Sequence, residues 1–231
     1  MFFHGGGDES WEDERVPYIN EWTNRGYAFV FVDLYAGRGL GNLGNGKGAG
    51  DVRMTPKHVA GDALVSFNWL KKQNWADPNK IVAMGYSYGA ALLMDSLVFS
   101  AIDELPKSLL DKPKGGMEGL KAIAAIAPYC PKNVMGYNIH YSLIKDFSEN
   151  VPMLAILPTE DKDFGKMCNK IVEKNQGLGF EIKVLRPKTT HGFYVQQTYK
   201  KGDQRFLEHA PEIQKNMDEE IFKFFEEKTK D

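Results

Sequence analysis

Cysteine is scarce in this chain: only Cys130 and Cys168 occur among 231 residues. A scaffold stapled by several disulfides is therefore excluded, and stability must come from a packed core, which a chain of this length can build. Neither C-x-x-C nor paired-histidine spacing accompanies the two thiols, so no zinc-ligand pattern is present and no metal is expected. A charge imbalance is missing as well: 29 Lys and Arg stand against 31 Asp and Glu, for a net charge of −2. No global field draws the chain to nucleic acid or to anionic membranes, and neither is expected as a partner. No apolar run approaches the ~20 residues that a membrane-spanning helix needs. Internal repeats and a domain linker are also absent, so residues 1–231 read as one domain.

With apolar residues at 42% and aromatics at 12%, the chain has the composition of a globular protein. Strand and helix signals alternate, the pattern of a mostly parallel sheet with helices on both faces, an α/β fold. Strands are expected at 1–3, 27–33, 80–84, 121–127, 152–157 and 180–186. Between them lie helical patterns. Val59, Ala63, Leu64, Phe67 and Leu70 share one apolar face, and Ile213, Met217, Ile221, Phe224 and Phe225 share another. Pro211 suits the start of that last helix.

The most informative stretch is Gly85-Tyr86-Ser87-Tyr88-Gly89, where an apolar strand ends and a small-residue helix begins. Such a sharp turn is crowded, so the positions two before and two after the serine must lack bulk. The pattern is G-x-S-x-G, a nucleophile elbow, whose confirmation is a strand before it and a helix after it. The bland alternative is an ordinary strand-to-helix turn. A serine hydroxyl needs a base, an acid to orient that base, and donors for the oxyanion. Behind an elbow the partners follow in the order acid, then histidine. Among five histidines, His191 alone lies well downstream in a loop after a strand-like run; His4 and His58 precede the serine, His140 sits in a polar insertion and His209 at the mouth of the last helix. The acid is expected after the strand Pro152–Leu157, where Glu160, Asp161 and Asp163 cluster. Asp161 is favoured, four residues past the strand, with Asp163 as the alternative and Glu160 third; one of these aspartates is also expected to cap a helix. For the oxyanion hole, Tyr88 supplies the amide after the nucleophile. His4-Gly5-Gly6-Gly7, directly after Met1–Phe3, supplies the second, with Gly6 first and Gly5 second as donor.

These residues, with Asp33-Leu34-Tyr35-Ala36, Val59-Ala60-Gly61-Asp62 and His191-Gly192-Phe193, resemble the dienelactone hydrolase family of α/β-hydrolases over nearly the whole chain. The resemblance implies the α/β-hydrolase fold and a Ser87–Asp161–His191 triad, with no cofactor. It also implies that the fold's usual first two strands are missing, since Met1–Phe3 is already strand, and a sheet edge then needs cover. Three departures count against lactone specificity. Dienelactone hydrolases proper carry cysteine where Ser87 stands and a glutamate where Gly5 stands, and an arginine expected shortly after His191 is replaced near Val195. Arg38 is offered for the other arginine role, one residue out of register. A serine carboxylesterase acting on a small-molecule ester is therefore expected. The alternatives are a prolyl-oligopeptidase-like peptidase, which usually brings a large extra domain, and a catalytically silent binding protein of the same fold.

Gly39-Leu40-Gly41-Asn42-Leu43-Gly44 satisfies G-x-G-x-x-G, but the glycines do not open a helix and no Ser or Thr follows Lys47, so a loop at the site's rim is expected instead of a nucleotide site. Segments 101–119 and 131–150 are insertions, and the second, with Tyr137, Ile139, Tyr141, Leu143 and Ile144, either roofs the pocket or packs on the sheet edge. Trp11, Tyr86 and Tyr88 are candidates to line the acyl or alcohol site, or are core packing. Cys130 and Cys168 follow adjacent strands and either pair or stay as buried thiols. The compartment stays open with them: cytoplasmic, or periplasmic or secreted if an upstream signal is missing and the cysteines pair. Oligomeric state cannot be read.

Overall fold

Among the described residues one sheet holds six parallel strands: β1 (Phe2–Phe3), β2 (Phe31–Val32), β3 (Val82–Tyr86), β4 (Ala122–Ile126), β5 (Met153–Ile156) and β6 (Ile182–Leu185). Their order is β2-β1-β3-β4-β5-β6. In the computed structural model, residues 1–6, 12–35, 56–100, 106, 109–111, 113–130, 142–162, 164–194, 199–201 and 204–230 are described. Each expected strand is present. The expected 27–33 strand is reduced to Phe31–Val32 because its partner β1 is itself two residues long. Phe2 N donates to Val30 O at 2.8 Å where the ladder begins.

Strand side chains alternate between two cores, as the period of two requires. Ala83, Ile123, Ala125, Met153 and Ala155 face α2 (Pro56–Leu70), α3 (Tyr88–Phe99) and α4 (Cys168–Gly177). Val82, Met84, Tyr86, Ala124, Ile126, Leu154 and Ile156 face α1 (Glu12–Asn24) and α5 (Pro211–Thr229). Every residue of α3 is buried, which is why Gly89-Ala90-Ala91-Leu92-Leu93 shows no polar stripe. By contrast, α2 and α5 each bury one face, the ones that the sequence marks; α5 begins at Pro211, and it also buries Phe222. A hairpin of β7 (Tyr199–Lys201) and β8 (Gln204–Leu207) was not anticipated, although Gly202-Asp203 between the two runs is a hairpin-turn signal.

The chain steps from β1 outward to β2, then returns to the other side of β1 at β3. After β1 the chain therefore moves to one side of the sheet and after β3 to the other, which makes the carboxyl ends of these two strands a topological switch point. The loop after β1 holds Gly5 and Gly6, and the one after β3 holds Ser87. Among the described residues no helix is long and apolar enough to cross a membrane.

Candidate active site

One residue, Ser87, makes the turn from β3 to α3, with φ 53° and ψ −109°. A non-glycine residue in this left-handed region costs on the order of 1–2 kcal/mol and persists only where its surroundings fix it. Here Ser87 N donates to Ile126 O at 2.9 Å, and Ser87 O accepts from Ala91 N at 3.1 Å and Tyr129 N at 2.9 Å. The two glycines are sterically required. A Cβ on Gly89 would lie 2.1 Å from Phe3 O, and one on Gly85 would lie 2.5 Å from Gly89 O. Ser87 occupies the N-cap of α3, yet its hydroxyl makes no capping bond. It lies instead 2.7 Å from His191 Nε2.

His191 opens a 3-10 turn, His191–Tyr194, beyond β6. Its Nδ1 is 2.6 Å from Asp161 Oδ2, and the two side chains are only 5% and 2% exposed. With Nδ1–H donated to the carboxylate, Nε2 is left as the acceptor that faces the serine hydroxyl. The backbone of the turn is fixed by Tyr86, whose hydroxyl donates to His191 O at 3.0 Å. The Phe164 ring covers the imidazole at 4.7 Å between centroids. Asp161 is held in turn: its Oδ1 accepts from Phe164 N at 3.0 Å. Its loop is tied to the segment after β6 by Thr159 N to Pro187 O and Glu160 N to Thr189 O, both 3.0 Å.

Glu160 is exposed, and Asp163 lies outside the described residues. Tyr88 is the first residue of α3, which puts its amide directly after Ser87. Gly5 sits against the elbow: a Cβ there would be 3.1 Å from the Tyr86 ring and 3.6 Å from Ser87 Cβ. Gly6 is the next residue outward and half-buried. Tyr86 is buried with its hydroxyl engaged by His191, a support for the histidine rather than an open pocket wall. Trp11, Arg38, Gly7, His140, Val195, the glycine-rich stretch 36–51 and Tyr137, Ile139 and Tyr141 lie outside the described residues. Of the two readings of the cysteines, the structure has the disulfide, Cys130–Cys168, with Cα atoms 5.3 Å apart.

Two groups of residues were not found by sequence reasoning. His4 is buried, and its Nδ1 donates to Gly5 O at 2.7 Å while Nε2 accepts from Leu34 N at 3.0 Å. That pair of bonds fixes its tautomer and the start of the glycine loop. Its only sequence signal was its place at the head of H-G-G-G. The second group is a buried chain behind the histidine: Tyr18 and Tyr194 hydroxyls 2.6 Å apart, with Tyr194 donating to Asp218 Oδ1. Tyr194 closes the turn that His191 opens, and its ring stacks on Tyr86 at 5.8 Å. A phenol has one proton, so with Tyr194 donating to Asp218, Tyr18 donates to Tyr194. Burial pushes the Asp218 carboxyl up to about 7, against the opposing hydrogen bond from Tyr194 and with Glu21 adding repulsion. Nothing in the spacing of residues 18, 194 and 218 announces this contact.

Comparisons with known proteins bear on the fold that carries these residues. Residues 11–100, which include Ser87 but neither Asp161 nor His191, match the prolyl oligopeptidase family. The structure of esterase 2 of Thermogutta terrifontis phosphoramylated by tabun superposes with a TM-score of 0.62 at 18% identity, covering 95% of this chain and 80% of that one. A putative dienelactone hydrolase from Klebsiella pneumoniae superposes with a TM-score of 0.67 at 11% identity, covering 97% and 84%. This chain has the α/β-hydrolase fold. Among curated proteins, a multifunctional-autoprocessing repeats-in-toxin of Vibrio cholerae is 29% identical over 217 residues, covering 90% of this chain and 4% of that protein. Its Vibrio vulnificus counterpart is 27% identical over 192 residues, 79% of this chain and 3% of that protein. The chain thus spans a few per cent of the length of these relatives. Ser87, His191 and Gly5 converge at the carboxyl ends of β1 and β3.

Proposed function

We propose that the protein is a serine hydrolase of small carboxylic esters, working through an acyl-enzyme intermediate. The observation that carries this reading is the continuous chain Ser87 Oγ–His191 Nε2, His191 Nδ1–Asp161 Oδ2, at 2.7 and 2.6 Å, set on a strained elbow. His191 takes the serine proton as Ser87 Oγ attacks the ester carbonyl. Asp161 holds the imidazole in the tautomer that leaves Nε2 basic and offsets the charge of the imidazolium. The oxyanion that forms is received by the Tyr88 amide and by an amide of the Gly5–Gly6 loop, fixed dipoles that need no reorganisation. His191 then passes its proton to the leaving alkoxide, the alcohol departs, and water repeats the sequence to free the acid.

A second reading, a serine peptidase, is favoured by the match of residues 11–100 to the prolyl oligopeptidase family. One experiment separates the two: hydrolysis of p-nitrophenyl esters of two to twelve carbons beside a prolyl-peptide anilide, by the wild type and by Ser87→Ala. Ester turnover with a chain-length preference, reduced roughly 10⁵-fold or more in Ser87→Ala, is expected. Cleavage of the anilide with little ester turnover would transfer the site to peptides, and turnover of both substrates surviving in Ser87→Ala would remove the serine from the chemistry.

A further inference from the structure

The disulfide lies beside the acid's loop, and the hydrogen bonds around it connect it to both ends of the serine–histidine–aspartate chain. Cys130 closes the short segment after β4, and Cys168 is the first residue of α4. Within that segment Tyr129 N donates to Ser87 O at 2.9 Å, so it braces the elbow. The next residue braces the acid's loop: Cys130 N donates to Phe164 O at 2.6 Å, and Met167 N donates to Cys130 O at 3.1 Å. Phe164 is the residue whose amide holds Asp161 Oδ1 and whose ring covers His191. Behind it the fit is close. A Cβ on Gly165 would stand 2.7 Å from Asp161 Oδ2, the oxygen that bonds His191. Residues 164–168 thus form a short strap beside the acid, and the Cys130–Cys168 bond cross-links its end directly to the Tyr129–Cys130 segment that braces Ser87.

We propose that the Cys130–Cys168 disulfide is a positioning element for Asp161, and that a dithiol reductant lowers catalysis by releasing it. The inference rests on the proposed hydrolase reading. Reduction is a two-electron exchange: one thiolate of the dithiol attacks a disulfide sulfur, the second resolves the mixed disulfide, and the dithiol leaves as its own disulfide. The protein gains the thiols of Cys130 and Cys168 and loses no other bond. Phe164 and Met167 then keep only non-covalent contacts to the Tyr129–Cys130 segment, namely their hydrogen bonds to Cys130 and the packing of the Phe164 ring on Tyr129 at 5.8 Å, and Asp161 is freed to shift from His191 Nδ1. Misplacements near 1 Å at a catalytic group cost up to about 100-fold.

The test measures ester kcat and KM for oxidised wild type, wild type treated with dithiothreitol, Cys130→Ala/Cys168→Ala, and each of these with Asp161→Asn. Near-UV circular dichroism reports the fold of every sample. A fall of about 10- to 100-fold in kcat is expected on reduction or in the double alanine variant, with KM little changed, native dichroism, and recovery of the reduced wild type on reoxidation. In the Asp161→Asn background the same treatments are expected to change kcat less than twofold, because the positioned carboxylate is already gone. An equal fall with and without Asp161, a fall that tracks loss of native dichroism, or full activity in the reduced and double-alanine proteins would each overturn the proposal. An oxidised wild type that hydrolyses esters while showing any of those results leaves the hydrolase reading standing, whereas an inert oxidised wild type removes both.

Discussion

Ser87 and His191 touch, yet they are held by different forces. The serine is placed by backbone sterics: a one-residue turn at φ 53°, hemmed by Gly85, Gly89 and the carbonyl of Phe3. The histidine is placed by side chains reaching from other elements, namely Asp161, Tyr86, Phe164 and, behind the turn, Tyr194 with Tyr18 and Asp218. Sterics of the first kind tolerate almost no change, since interiors packed at crystal density have no room for a methyl group against backbone. Side-chain supports can be removed singly, each at a limited cost in stability. The fold around Ser87 should therefore fail all at once, and that around His191 by degrees.

The largest effect is expected from Gly89→Ala, which drives a methyl group to within 2.1 Å of Phe3 O. A loss of about 3 kcal/mol or more in urea unfolding, together with ester turnover, is expected; native stability would show that the elbow is looser than its contacts imply. Next comes Asp161→Asn, which leaves the shape of the loop and takes the carboxylate from His191. A fall of roughly 10⁴-fold in kcat at near-native stability is expected, and a loss below tenfold would mean that another group orients the imidazole.

Asp218 sharpens the comparison through pH. Burial raises its carboxyl from 3.8 to about 7 in the folded protein. Because the folded state binds this proton more tightly, the stability it contributes is complete below pH ~4 and is lost as pH rises through ~7. Asp218→Asn has no such proton to lose. Between pH 5 and 8 the variant should gain on the wild type by about 2–3 kcal/mol in chemical unfolding, at ~1.4 kcal/mol per pH unit. A gap that does not move with pH would show that Asp218 is not buried as a neutral acid. The smallest effect is expected for Tyr86→Phe, which removes one donor from His191 O: about 1 kcal/mol of stability and less than tenfold in kcat.

The same contrast governs what could be read from the sequence. Strands β3, β4 and β5 are buried on both faces, so they appear as unbroken apolar runs, and the elbow reveals itself because its sterics demand glycine at fixed offsets within five residues. His191 was singled out by order along the chain, and it lies within hydrogen-bond distance of Ser87 and Asp161. Local pattern could rank Asp161 among neighbouring acids but could not fix it, since that depends on how the loop folds back against Pro187 and Thr189. Asp218, Tyr18 and Tyr194 were invisible for a stronger form of that reason: their contact joins α1, α5 and the histidine's turn, and no periodicity encodes a meeting of three distant elements. The disulfide was visible only as an open choice between pairing and buried thiols, because nothing in a sequence sets the distance between two loops.

The most direct test of the account is to treat the folded, oxidised protein with a fluorophosphonate and map the adduct by peptide mass spectrometry, in the wild type and in His191→Ala. A single adduct on Ser87 in the wild type, formed at least a hundredfold more slowly without His191, is the predicted result. An unreactive Ser87 in folded wild type, or labelling that is indifferent to His191, would contradict it.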